Sequence, residues 1–190
     1  MRRTRAAAAA NRARIVGEAA RQFRDRGFDG IGVAELMRGV GLTHGGFYGH
    51  FADKQELMEL AVRQAVAEML DVWRARAEAA PGDPLRAITD PYLAREHRDQ
   101  PGSGCLMAAL GPEVARQAPP VRQAVTECLG DVLDMLARQM PEADERTRRA
   151  AAIRTFASLV GGIVAARAVG DPALSDEILA AVREGLAGTR

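Results

Sequence analysis

Val33-Ala34-Glu35-Leu36-Met37-Arg38-Gly39-Val40-Gly41-Leu42-Thr43-His44-Gly45-Gly46-Phe47-Tyr48-Gly49-His50-Phe51 decides the fold. Val33, Leu36, Met37 and Val40 recur at helical spacing, so the first half reads as a short helix over residues 33–39. Gly32 stands at its N-cap, where glycine gives up roughly a few tenths of a kcal/mol relative to the best capping residues. Val40-Gly41-Leu42 is a tight turn, and Thr43 is placed to cap a further helix over residues 44–50. Two short helices joined by a glycine turn make a helix-turn-helix.

The second of these helices has two unlike sides. Phe47 and Phe51, four apart, face inward with Leu42, whereas His44, Gly45 and Tyr48 face outward with Gly46 and His50 at their flanks. A side that only meets water is better served by Glu, Lys, Gln or Ala, because each glycine costs a helix about 1 kcal/mol. The pattern makes sense when something approaches the backbone closely. A DNA major groove does so: small residues let the helix sit deep while Tyr and His reach phosphate oxygens.

Charge agrees with that reading. Residues 1–54 carry a net +5 and residues 55–190 a net −4, a division hidden in the whole-chain value of +1. Phe23, Phe28, Phe47, Tyr48 and Phe51 also gather in the first segment. The basic segment points to an anionic partner, the alternative being an accidental imbalance on a solvated surface.

The rest of the chain reads as all-α. Alanine, the strongest helix former, is abundant, and β-branched residues form no alternating runs. Ile15, Val16, Ala19, Ala20 and Phe23 mark a first helix that ends at Gly27. Asp53-Lys54-Gln55-Glu56 is a capping box opening a helix over residues 54–80, about 40 Å long, a lever between two domains. Pro81-Gly82 stops it, Asp83-Pro84 starts another, and Pro91 should kink or end that one. Residues 99–104 read as a loop. Helices are then expected over residues 105–117, 119–140, 144–169 and 172–186, about nine in all. The expected domains are 1–54, a helix-turn-helix with a basic N-terminal arm, and 55–190, for effector binding and dimerisation.

Residues 144–169 are apolar nearly all round, which implies burial nearly all round. A chain of 190 residues has little left to cover both faces, so a second copy is the expected cover. Ile153, Phe156, Val160, Gly161 and Val164, with Ile178 and Val182 of the last helix, are the expected interface of a dimeric four-helix bundle, and Gly161-Gly162 would allow close approach. Burial inside one protomer is the alternative.

Several function classes fall away. The longest uncharged apolar run, residues 156–166, is shorter than the roughly 20 residues of a membrane span, and the alanines after Met1-Arg2-Arg3-Thr4-Arg5 make a poor signal peptide. A protein without a membrane partner is therefore expected. Cys105 and Cys128 are too few for a disulfide scaffold. His44, His50 and His97 form no metal or catalytic cluster, and no phosphate-binding glycine loop exists, so neither enzyme activity nor a metal or other cofactor is expected.

The stretch from Gly41 to Leu57, together with Ala19-Ala20, Phe23 and Gly27-Phe28, resembles the signature of the TetR/AcrR family of transcriptional repressors, over about residues 12–60. The resemblance implies an all-α homodimer that places this motif in successive major grooves of a palindromic operator. It implies a phosphate contact for Thr43, base-edge contacts for His44 and Gly46, close approach at Gly45, and phosphate contacts for Tyr48, His50 and Lys54. Gly32, Gly46 and Gly49 depart from the family pattern and remove side chains that read bases. The basic arm, Arg2, Arg3, Arg5, Arg12 and Arg14, would follow the minor groove or remain a solubilising tail.

The resemblance also implies a small-molecule effector among the middle helices. Met69, Trp73, Tyr92, Cys105, Met107, Cys128 and Phe156 are the candidate lining, and their lack of charge suggests an apolar or aromatic ligand. Cys105 opens a helix after a glycine loop, where the helix dipole is expected to lower its pKa. Residues 104–115 resemble family members that sense oxidants or electrophiles through one cysteine. The expected function is thus a cytoplasmic bacterial regulator, a repressor by the family's usual mode, released by an apolar or electrophilic effector. A helical dimer that ignores DNA and an activator of the same fold are the alternatives.

Overall fold

The computed structural model describes residues 5–141 and 144–187, and among them all regular structure is helical. Arg2 and Arg3 of the basic arm lie outside the described residues. In chain order the elements are α1 (Arg5–Arg26), α2 (Val33–Gly39), a 3-10 helix (His44–Gly49), α3 (Lys54–Ala79), α4 (Pro84–Tyr92), α5 (Arg95–Asp99), a 3-10 turn (Pro101–Ser103), α6 (Leu106–Val114), α7 (Pro119–Ala137), α8 (Glu145–Ala168) and α9 (Pro172–Ala187).

Local chemistry explains most boundaries. Gly27 and Gly41 take positive φ values of 82° and 71°, the left-handed conformation that ends a helix without the clash a Cβ would make. Asp53 accepts the Glu56 N–H at 2.9 Å, and Glu56 reaches back to the Ala52 N–H at 2.7 Å. Asp83 and Asp144 cap α4 and α8 by accepting the N–H of Arg86 and of Thr147. Pro91 ends α4 rather than kinking it, one residue before its terminus.

Three expectations need correction. The reading helix is a 3-10 helix rather than an α-helix, consistent with Gly45, Gly46 and Gly49 weakening the looser α geometry. Thr43 occupies its N-cap position, but the hydroxyl caps nothing, and the Gly46 N–H bonds the Thr43 carbonyl instead. The stretch read as a loop over residues 99–104 contains the Pro101–Ser103 turn and follows the unforeseen α5. That helix buries no residue and so shows no apolar period. Arg95 and Arg98 hold it to Asp176 of α9.

α3 is the spine. It packs on α1 and α7, touches α4 and α6, and buries Leu57, Val62, Leu70 and Trp73. α8 packs on α5, α6, α7 and α9 and buries Ala152, Leu159 and Ile163. By length and composition α8 is apolar enough to cross a membrane, but it serves here as a packed helix of the domain. Its apolar circumference divides in two, because Ile153 and Val164 remain 48 % and 41 % exposed. Phe156, assigned above to the dimer interface, is buried inside the protomer. Gly162 faces α9 of its own chain, where a Cβ would come within 3.2 Å of Val182 and Leu93, whereas Gly161 is open. The close helix approach at Gly162 is therefore within one protomer.

Candidate nucleic-acid interface and effector chamber

The reading helix is fixed from below. Phe47 and Phe51 are buried and stack at 5.3 Å, as their spacing implied. That anchoring turns Thr43, His44, Gly45, Tyr48 and Gly49 to solvent, and Tyr48 is 67 % exposed. The His44 and Tyr48 rings meet edge-on at 6.1 Å. Added Cβ atoms at Gly45 and Gly49 would meet nothing within 4 Å, so the backbone there is open to a close partner. Gly46 is half-buried over Met37 and Thr43.

Several residues expected to meet phosphate serve first as braces. Lys54 Nζ donates to the carbonyls of Phe28 at 2.6 Å and Ile31 at 3.0 Å, leaving at most one donor for an outside anion. His50 is half-buried, and its carbonyl accepts from Arg12 Nε at 3.3 Å. Arg12 also pairs with Glu56 at 2.6 Å and lies over the Phe51 ring, tying α1 to the start of α3. Arg14 donates to the Val40 carbonyl at 2.7 Å. Arg12 and Arg14 thus hold the head together, and neither is a free arm residue.

The expected effector lining divides between two spaces. Met69, Trp73, Tyr92 and Cys105 line a chamber of about 270 Å³ between α3, α4 and the Pro101–Ser103 turn. Met107, Cys128 and Phe156 instead surround a void of about 10 Å³ with Met69 and Cys105, too small for an organic ligand. They are core packing. Cys105 stands between the two spaces.

The chamber is also more polar than its predicted lining, because Arg24, Glu68, Arg76, Glu96 and His97 complete the wall. Sequence periodicity missed them because they come from three separate helices, α1, α3 and α5. His97 is the pivot: its Nδ1 donates to the Tyr92 carbonyl at 2.6 Å, and its Nε2 accepts the Cys105 N–H at 2.8 Å. A carbonyl can only accept, so this pair of bonds fixes the neutral tautomer. Burial, the largest cause, pushes the His97 pKa below its usual value.

The lowered thiol pKa expected for Cys105 is overturned. The side chain is buried, and desolvation of the thiolate raises the pKa more than the Tyr92 contact and the Met107 and Ala108 backbone groups lower it. Burial also raises the pKa of Cys128.

The chamber is joined to the N-terminal helices by direct polar contacts. Arg24 of α1 lines it, with its Nε on the Gly102 carbonyl at 2.8 Å and its terminal nitrogen 3.8 Å from Glu68 of α3. Just past the end of α1, the Phe28 N–H donates to Glu113 of α6 at 2.8 Å. Gly27 and Gly102 make these contacts close, since a Cβ would fall 2.7 Å from Glu113 and 2.5 Å from Asp25 respectively.

Comparison with known proteins agrees with this architecture. Residues 15–61 match the family model described as bacterial regulatory proteins, tetR family, and residues 81–182 match the tetracyclin repressor-like C-terminal domain. No curated protein matches the chain. Among solved structures, the reduced form of NemR from E. coli is similar at 19 % identity and a TM-score of 0.77, over 93 % of this chain and 95 % of that one. A TetR-family regulator from Cytophaga hutchinsonii reaches 20 % and 0.79 over 99 % and 98 % of the two chains. SCO4454, a TetR-family regulator from Streptomyces coelicolor, reaches 25 % and 0.69 over 94 % of each. With an exposed reading helix on a buried aromatic pair and both domain models matched, the chain belongs to the TetR family of DNA-binding transcription regulators, a family of regulators and not of enzymes.

Proposed function

We propose that this protein is a cytoplasmic repressor that binds a palindromic operator as a homodimer and leaves it when a small molecule fills the chamber. The observation that carries the reading is the two-sidedness of residues 43–51. Phe47 and Phe51 are locked in the core while Thr43, His44, Gly45, Tyr48 and Gly49 stand free on the opposite side. Thr43 and Tyr48 supply hydroxyls for phosphate, His44 is the side chain best placed for a base edge, and Gly45 and Gly46 let the groove close on the backbone. His50 and Lys54 add at most backbone-side or single-donor contacts.

Residues 1–54 form the reading head and residues 55–190 the effector and dimer domain. Two heads separated by one helical turn, about 34 Å, require a rigid pair. The exposed Ile153, Val164 and Gly161 of α8, with half-buried Val160, Ile178 and Val182, supply a pairing face. A ligand in the chamber that moves α3 or α1 changes the head spacing, which is how it lowers operator affinity. The buried, high-pKa Cys105 favours reversible binding over capture of an electrophile.

The test is selection of bound sequences from random duplex DNA, followed by affinity measurement at several salt concentrations. A palindromic site and an affinity that falls steeply with salt are expected. Absence of binding at low ionic strength refutes the reading.

A further inference from the structure

The chemistry of the chamber narrows what can fill it. Its apolar wall is Met69, Val72 and the Trp73 ring, which meets Tyr92 edge-on at 6.0 Å. Its inner polar groups are donors. The Tyr92 hydroxyl is buried and makes no well-oriented hydrogen bond; the Cys105 sulfur is a weak polar neighbour and the Arg167 guanidinium adds positive charge nearby. Arg24 is buried, and its carboxylate partner is 3.8 Å away. Arg76 makes no hydrogen bond or ion pair among the described residues. The acceptor nitrogen of His97 is already occupied by the Cys105 N–H.

The wall's carboxylates do not cancel this. Glu68 is half-exposed and Glu96 exposed, so water screens them, whereas the Arg24 guanidinium is shielded from water. A buried donor left without an acceptor keeps an uncompensated desolvation cost, which a ligand acceptor recovers. A cationic guest adds to the positive interior, and a neutral one can accept from the donors but leaves that charge uncompensated.

We propose that the chamber takes a small aromatic carboxylate, its ring against Trp73 and Met69 and its oxygens accepting from the Tyr92 hydroxyl and Arg76. This rests on reading the chamber as the effector site. The negative group also competes with the Gly102 carbonyl for Arg24, loosening the tie between α1 and the Pro101–Ser103 turn. The ligand's charge thereby reaches the reading head through one side chain.

Benzoate, benzamide and benzylammonium, similar in shape and different in charge, test the class by calorimetric titration of the full chain. Trp73, the single tryptophan, gives a second optical reading. Benzoate is expected to saturate with a Kd at least about tenfold below the other two. Tyr92→Phe and Arg76→Gln should each weaken benzoate severalfold and weaken benzamide less, because bonds to the charged acceptor are the stronger ones, and Tyr92→Phe should unfold no earlier than the parent, since it deletes an unbonded hydroxyl. Equal or tighter binding of benzamide or benzylammonium, or no saturable binding of benzoate or 2-naphthoate, overturns the proposal. So does a destabilised Tyr92→Phe. Operator binding by the same samples keeps the two readings apart: if it persists while benzoate shows no preference, only the ligand class falls.

Discussion

Arg24 Nε donates to the carbonyl oxygen of Gly102 at 2.8 Å, joining the last turn of α1 to a turn 78 positions later that floors the chamber. The guanidinium is buried, and desolvation, the largest cause, pushes its pKa down from the ordinary arginine value. It is therefore both a wall of the chamber and a strut of the N-terminal helices. Effector release through α3 alone would leave this second connection idle.

Replacing Arg24 by Met keeps the bulk and strands the Gly102 carbonyl, so the protein should lose about 1–3 kcal/mol. Urea unfolding measures this. In the proposed scheme the same variant responds to ligand with a smaller change in operator affinity, and an unchanged response shows that α1 takes no part.

Tyr48→Ala should separate stability from recognition. The side chain is 67 % exposed, so unfolding should move by no more than about 0.5 kcal/mol, whereas operator affinity should fall about tenfold in a fluorescence anisotropy titration. Phe47→Ala, one residue earlier, should instead cost about 3–5 kcal/mol, because it empties the buried aromatic pair beneath the reading helix.

Ile153→Asp and Val164→Asp place charge on exposed positions of α8, so each protomer should keep its helical circular dichroism. Sedimentation should then report monomer where the parent is a dimer, with operator affinity at least tenfold weaker. A parent that sediments only as monomer at micromolar concentration contradicts the dimer.

Acid should weaken the fold through His97. The folded ring is neutral, and burial lowers its pKa below 6.5, so the unfolded chain takes up the proton first as pH falls. The stability associated with neutral His97 is fully present above about pH 6.5 and declines as pH drops from there toward the lower folded-state value. Melting temperature should therefore fall more between about pH 7.5 and pH 5.5 for the parent than for His97→Gln, which cannot take up that proton.

The sequence by itself determined what depends on neighbours within a few positions. The 3.6-residue period placed α1, α2, α7 and α9, an apolar run on nearly every side placed α8, Asp53 and Glu56 set the start of α3, and Gly27 and Gly41 set two ends. The inward Phe47 and Phe51 and the outward His44, Gly45 and Tyr48 were legible for the same reason, since one helix face is a local property. The tertiary structure alone decided where distant polar groups meet. Nothing near Arg24 in the chain names Gly102, nothing near Phe28 names Glu113, and α5 has no apolar stripe to announce it. The Cys105 pKa reversed because burial arises from every element packed around the thiol, whereas the helix start is a single local feature. The lining inferred from apolar side chains divided because cavity shape is set by the angles between helices, which no short stretch encodes.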